Sequence, residues 1–178
     1  MTNTQQNNNS LLVQELWQAY LSAAQREIAT PIYDVFHFDD NEAGANELAD
    51  LVLQGRKQAT ASLLWRYQSD DQRPPQRGDL SVVTDWEGMP LCVIETTEVE
   101  IRPFEGVTEA FAAAEGEGDL SLEYWREAHW RFFGRVCREL NKARSLEMPV
   151  VCEKFRVVFP LQQTELRKSS LDIHTSTL

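Results

Sequence analysis

The sequence predicts an α+β domain in which helices flank a sheet of short strands. Apolar residues recur at helical spacing in three stretches, 11–26, 43–54 and 122–143. Elsewhere apolar residues alternate with polar ones or run together over 60–65, 80–86, 91–101 and 150–159, as half-buried and buried strands require. Turn-forming residues separate these segments. At 178 residues and 42% hydrophobic content, the chain suits one domain with a sizeable core.

Each element follows from its residues. Residues 1–10 are polar and rich in Asn and Gln, so they are expected to be disordered. Ser10 can cap a helix from Leu11 to about Arg26, with a stripe of Leu12, Leu16, Tyr20 and Ala23 or Ala24, and Trp17 beside it. Thr30-Pro31 ends that helix, and residues 32–38 read as a short extended piece. Asp39-Asp40-Asn41 reads as a turn at a helix N-terminus, since its spacing matches no known cation loop. The helix over 43–54 places Leu48, Leu51 and Val52 on one side. After the strand 60–65, residues 69–78 carry Asp70, Asp71, Pro74 and Pro75 and read as an exposed loop.

Leu80, Val82, Thr84 and Trp86 share one face of the next strand, and Glu87 to Pro90 form a turn. In the strand 91–101, Glu95 interrupts an apolar face, so a bulge or a rim position is expected there. A short helix over 107–114 precedes Glu115-Gly116-Glu117-Gly118-Asp119, whose glycines allow close backbone approach. Ser121 can cap the longest helix, with a stripe of Leu122, Trp125, His129, Phe132 or Phe133, Val136 and Leu140. The last strand, 150–159, is broken by Glu153, Lys154 and Arg156, and 161–178 is a polar tail.

The net charge of −11 argues against broad binding to duplex nucleic acid, which depends on phosphate neutralisation. It leaves room for a local basic pocket. Residues 55–77 hold five cations, Arg56, Lys57, Arg66, Arg73 and Arg77, against Asp70 and Asp71, while 93–124 holds nine acids and one base, Arg102. These two stretches are candidates to face each other across a groove. Cys92, Cys137 and Cys152 are scattered in apolar patterns and read as buried thiols of a reducing compartment. The N-terminal stretch lacks the features of a signal peptide and no long apolar run occurs, so a cytoplasmic location without membrane contact is expected.

The chemistry concentrates at Gly55-Arg56-Lys57-Gln58-Ala59-Thr60-Ala61-Ser62. Gly55 can end the preceding helix in the left-handed conformation. Thr60 and Ser62 lie two residues apart and share a face if the segment is extended. An amine and two hydroxyls at a helix-to-strand corner can receive a polar ligand, although Gly-Arg-Lys also simply stops helices. His129 lies on an apolar helix face, where it reads as a core or groove-wall residue as readily as a functional one.

Gly55, Lys57 and Thr60 form a GxKxxT pattern that resembles the signature of the ASCH domain family, a relative of the PUA RNA-binding barrel. Gly78-Asp79, the strand Cys92 to Val99, the run Glu115 to Leu122 with Trp125-Arg126 and His129, and Val151 to Phe155 resemble further family segments in order, and in particular its larger subfamily with EGEGD. The resemblance covers about residues 34–160. It implies a PUA-like, partly open β-barrel of about five or six strands inside a single domain over 11–160. It also implies catalytic roles for Lys57, Thr60 and one acid of the Glu115-Gly116-Glu117 set, pointing to Glu117, with Ser62, Arg126 and His129 as substrate-binding candidates.

The activity so implied is amidohydrolysis of an N-acetylated cytidine. A lysine in a desolvated pocket is expected to have a lowered pKa and to serve as base or nucleophile. The alternative is a single-stranded RNA-binding module or ribonuclease with Lys57 on phosphate. Neither reading calls for a metal or another cofactor. If Lys57 and Glu117 lay on opposite sides of the domain, the catalytic reading would fail.

Overall fold

The computed structural model describes residues 3–160. Five strands form one mixed sheet that curls into a half-barrel: β1 (Asp34–Phe36), β2 (Ala59–Leu63), β3 (Leu80–Thr84), β4 (Pro90–Pro103) and β5 (Pro149–Phe159). Their order is β1-β3-β4-β5-β2, with β1 parallel to β3 and every other pair antiparallel. The expected tail over 161–178 lies outside the described residues.

Helix α1 runs from Asn3 to Ala23. Residues 3–10 of the stretch expected to be disordered therefore form its opening turns, and Ser10 lies inside the helix instead of capping it. Gln is a good helix former and Asn a mediocre one, so the composition does not forbid a helix, and the end of the stretch is tied down where Asn9 donates to the Glu87 carbonyl at 2.5 Å. The buried stripe is Val13, Trp17, Tyr20 and Leu21, packed on Leu80, Val82 and Val93. It is rotated from the expected one: Trp17 is central, and Leu12 and Leu16 are only half-buried.

Helix α2 (Glu42–Leu53) covers the other face of the sheet. Asn41 caps it by accepting from Gly44 N at 3.0 Å, as the turn reading expects. Ala45, Ala49 and Val52 are fully buried there, while Leu48 and Leu51 only flank them. Val83, Cys92 and Ile94 meet α2, whereas their neighbours Val82 and Val93 meet α1, as strand alternation requires.

Strand β2 ends at Leu63, and Leu64–Ser69 forms a short helix, α3, where the sequence suggested continued strand and then loop. That turn brings the Tyr67 hydroxyl back onto Ser62 at 2.9 Å. In β4, pairing with β5 shifts register at Val93/Ile94 and again between Thr96 and Glu98. Glu95 falls between these irregularities and meets Arg156 at 2.6 Å, which answers the carboxylate in its apolar pattern. Helix α4 (Glu109–Glu115) and helix α5 (Leu122–Glu139) close the remaining side. Trp125, Phe133, Val136 and Cys137 of α5 join Phe104, Phe111, Met148 and Val150 in the largest core cluster. All three cysteines are buried and free. Among the described residues, no helix is long and apolar enough to cross a membrane.

Candidate functional site

Two chain corners meet backbone to backbone and build the site. The first is the end of α2, where Gly55 takes φ 71° and the amides of Arg56 and Lys57 both bond the Leu51 carbonyl. The second is the end of α4, where Gly116 takes φ 73°. Gln58 N donates to the Ala114 carbonyl at 2.8 Å and locks the corners together. A Cβ on Gly116 would lie 2.3 Å from the Arg56 carbonyl oxygen. Gly116→Ala is therefore expected to destabilise the protein by about 2 kcal/mol or more, through both the left-handed backbone and the clash. Gly78→Ala is the control: it shares a positive φ of 92° but opens onto free space, and should cost only about 1 kcal/mol. Chemical denaturation of both variants checks this.

The junction delivers Lys57 between two carboxylates. Its Nζ donates to Glu115 Oε2 at 2.7 Å and to Glu117 Oε1 at 2.5 Å, and sits 5.3 Å from the centre of the Phe38 ring. Glu115 Oε1 accepts from Trp125 Nε1 at 2.8 Å and lies 3.4 Å from His129 Nε2. The His129 ring stacks on Trp125, and its Nδ1 reaches the Trp125 carbonyl at 3.0 Å, a contact in which only the ring nitrogen can donate. The side chains of Lys57 and Glu115 are each 1% exposed, whereas that of Glu117 is 18% exposed.

These surroundings divide the charges. Burial alone would raise the Glu115 pKa, but the Lys57 ammonium and then His129 overcome it and hold the carboxyl well below the usual range. Burial likewise works against the Lys57 charge, yet Glu115 and Glu117 more than reverse it, so the Lys57 pKa is raised. This corrects the expectation of a lowered lysine pKa: desolvation came with two carboxylates instead of an apolar wall. Glu117 has its pKa raised by burial and by Glu115, against the pull of Lys57. Of these three groups, Glu117 is the carboxyl that is both raised and partly open to the cleft.

This cluster borders a cleft of about 660 Å³, which Lys57, Thr60, Ser62, Glu117 and His129 all line. Arg126 does not line it. The helical period turns Trp125, Ala128, His129 and Phe132 inward, and Arg126 instead donates to the Glu105 carbonyl at 3.1 Å on the outside. The groove of facing charges exists in reduced form, with Lys57 alone of the five cations meeting the acidic corner.

The cleft is also lined by residues outside the candidate set read from the sequence. Glu153 lies directly across β2–β5 from Thr60 and is only 9% exposed. Its Oε1 accepts from the Thr96 hydroxyl at 2.6 Å. Burial pushes its carboxyl up to about 7, with Asp79 and Asp34 adding to the effect against the Thr96 bond. Asp34 is likewise raised by burial, and the Tyr67 hydroxyl is pushed up to about 12. One signal for Glu153 was available. It alternates with Val151 and Phe155 on the inner face, while Lys154 and Arg156 point out.

Because the folded pKa of Glu153 exceeds its ordinary 4.5, the folded state is favoured while the group is neutral and loses stability as pH rises through about 7. Glu153→Gln cannot ionise. It should exceed the native chain in stability by about 2 kcal/mol near pH 8, with no difference near pH 4. Urea melts at the two pH values test this, and equal stability near pH 8 would contradict a buried ionised Glu153.

A half-barrel of mixed strands flanked by helices, with its cleft beside a helix-to-strand corner, defines a PUA-like α+β protein. The chain belongs to the ASCH domain family, whose model matches residues 34–159. It is similar to an ASCH domain structure from Lactobacillus crispatus, at 43% identity and a TM-score of 0.76 over 82% of this chain and 92% of the other. It is also similar to a protein structure from Enterococcus faecalis, at 36% identity and a TM-score of 0.74 over 82% and 86% of the two chains. No curated protein matches the chain.

Proposed function

We propose that this ASCH domain is an amidohydrolase that removes an acyl group from a modified nucleoside, with N-acetylated cytidine as the model substrate. The observation that carries the reading is the Lys57 ammonium fixed in the cleft wall between an ionised Glu115 and a Glu117 able to take a proton. Glu117 takes a proton from water, and the water oxygen bonds the acyl carbon. Lys57 faces the oxyanion that develops on the former carbonyl, where a prepositioned charge is most effective. The carbon–nitrogen bond then breaks, and the proton on Glu117 passes to the departing amine. Acetate and cytidine are the products. Thr60 and Ser62 offer hydroxyls along the cleft floor, and His129 steadies Glu115 and the cleft wall.

A second reading has one observation in its favour. Arg66, Arg131 and Arg135 border the same cleft and suit an anionic ligand such as single-stranded RNA. All three already face a carboxylate: Arg66 with Glu139 and Arg135 with Asp40, both at 2.5 Å, and Arg131 with Glu127 at 3.6 Å. Incubation with N-acetylated cytidine, followed by chromatography, separates the readings. Cytidine release is the expected result. No release, with single-stranded RNA cut or retained instead, replaces the first reading by the second.

A further inference from the structure

Among the described residues two carboxylate side chains are buried, and their surroundings differ. Glu115 has Lys57. Glu153 is as deeply enclosed as a core residue, yet its charged neighbours are the carboxylates Asp79 and Asp34, and its hydrogen bond is to a neutral hydroxyl. A buried acid without a cation is unfavourable as a structural device. It is well suited to a ligand, because it lines the cleft and Thr96 engages only one of its two oxygens.

We propose that Glu153 is the specificity residue of the cleft, a buried carboxyl that pairs with an amidine edge of a nucleobase: a ring-nitrogen acceptor beside an exocyclic N–H, as cytosine presents. The Thr96 bond to Oε1 leaves Oε2 to carry the proton. Oε2–H donates to the ring nitrogen, and the remaining lone pair of Oε1 accepts the exocyclic N–H. Ionised, Glu153 would set a negative oxygen against the lone pair of that ring nitrogen. The cleft then has two groups with separate tasks. Thr60 lies directly opposite Glu153, and Lys57 precedes Thr60 by three residues, at most about 10 Å of chain. A pyrimidine held at Glu153 therefore carries its exocyclic acyl group toward Lys57 and Glu117. Glu153 can do this only if the cleft takes a nucleoside, as proposed above.

Other titratable groups line the same cleft or act on Glu153. Asp34 comes from β1, Asp79 from the turn before β3, and Tyr67 from α3; Glu117, His129, Arg131 and Arg135 approach from the α4–α5 side. On β5 itself, Lys154 is turned outward to Glu98 at 3.0 Å. Burial holds the Glu153 proton to about 7, so binding should weaken as pH rises through neutrality.

Calorimetric titration of the full chain with cytidine tests this without requiring turnover. Affinity is expected to fall about tenfold or more between about pH 6 and pH 8.5. Glu153→Gln, which keeps a donor and an acceptor at every pH, should flatten that dependence. At about pH 6, 3-deazacytidine lacks the ring-nitrogen acceptor and should bind about tenfold more weakly than cytidine. PH-independent cytidine binding, equal binding of 3-deazacytidine, or no cytidine binding at all would overturn the assignment. Cytidine binding with the expected profile, but without hydrolysis of N-acetylated cytidine, would sink the amidohydrolase reading alone. Hydrolysis with a KM flat across pH and unchanged in Glu153→Gln would sink the role of Glu153 alone.

Discussion

Glu117→Gln is expected to lower kcat for N-acetylated cytidine by about 10²–10⁴-fold, the usual loss when a proton-transferring group is removed. Stability should change by no more than about 1 kcal/mol, since glutamine can still accept the Lys57 hydrogen bond through its amide oxygen. The expectation rests on a difference between two neighbouring acids. Glu115 is sealed under Trp125 and His129 and is held ionised, so it serves the lysine. Glu117 is partly open to the cleft, and its pKa is raised. Burial and Glu115 hold its proton more firmly than in a free glutamate, so the basic form fills as pH rises and activity should rise with it on the acidic limb. In Glu117→Gln that limb should vanish. A variant that keeps most of its kcat, with a clean melting transition, would remove Glu117 from proton transfer and leave it as a partner of Lys57.

The architecture was readable because its elements obey local rules. Asn41 and Ser121 cap helices, alternation marks β3, and Gly55 stops α2. Misreadings arose where tertiary contacts decide. A polar segment continues α1, and a run with strand-like residues turns into α3 at Leu64. The site was half legible. Gly55, Lys57, Thr60 and the acidic corner carried a pattern, and the structure brings Lys57 onto Glu117. The direction of the lysine shift was not legible, because it depends on how many carboxylates share the buried space. Arg126 was adjacent to the right residues in sequence but lies on the wrong side of the helical turn. Glu153 was visible only as a flaw in an apolar strand, since nothing local says that its face is the floor of a cleft.

Lys57→Met should be the most destabilising single change in the site, at about 3–5 kcal/mol, because it leaves Glu115 as a buried charge without its main counterion. For a chain of this size that is a fall in Tm of roughly 6–20 °C. The methionine fills a similar volume, so the loss is electrostatic instead of a cavity effect. Trp125 would still donate to Glu115, and His129 would still stand at 3.4 Å, but neither replaces an ammonium at 2.7 Å. The same reasoning makes the double variant Lys57→Met/Glu115→Gln more stable than Lys57→Met, since glutamine removes the stranded charge and keeps an oxygen for Trp125. Activity should be absent from both. Urea denaturation of the two singles and the double gives the coupling directly. Additive effects would mean that Lys57 and Glu115 do not share one buried ion pair. Strong coupling, with activity restored in neither variant, would separate the two tasks of Lys57: neutralising Glu115 beneath the cleft and presenting a positive charge within it.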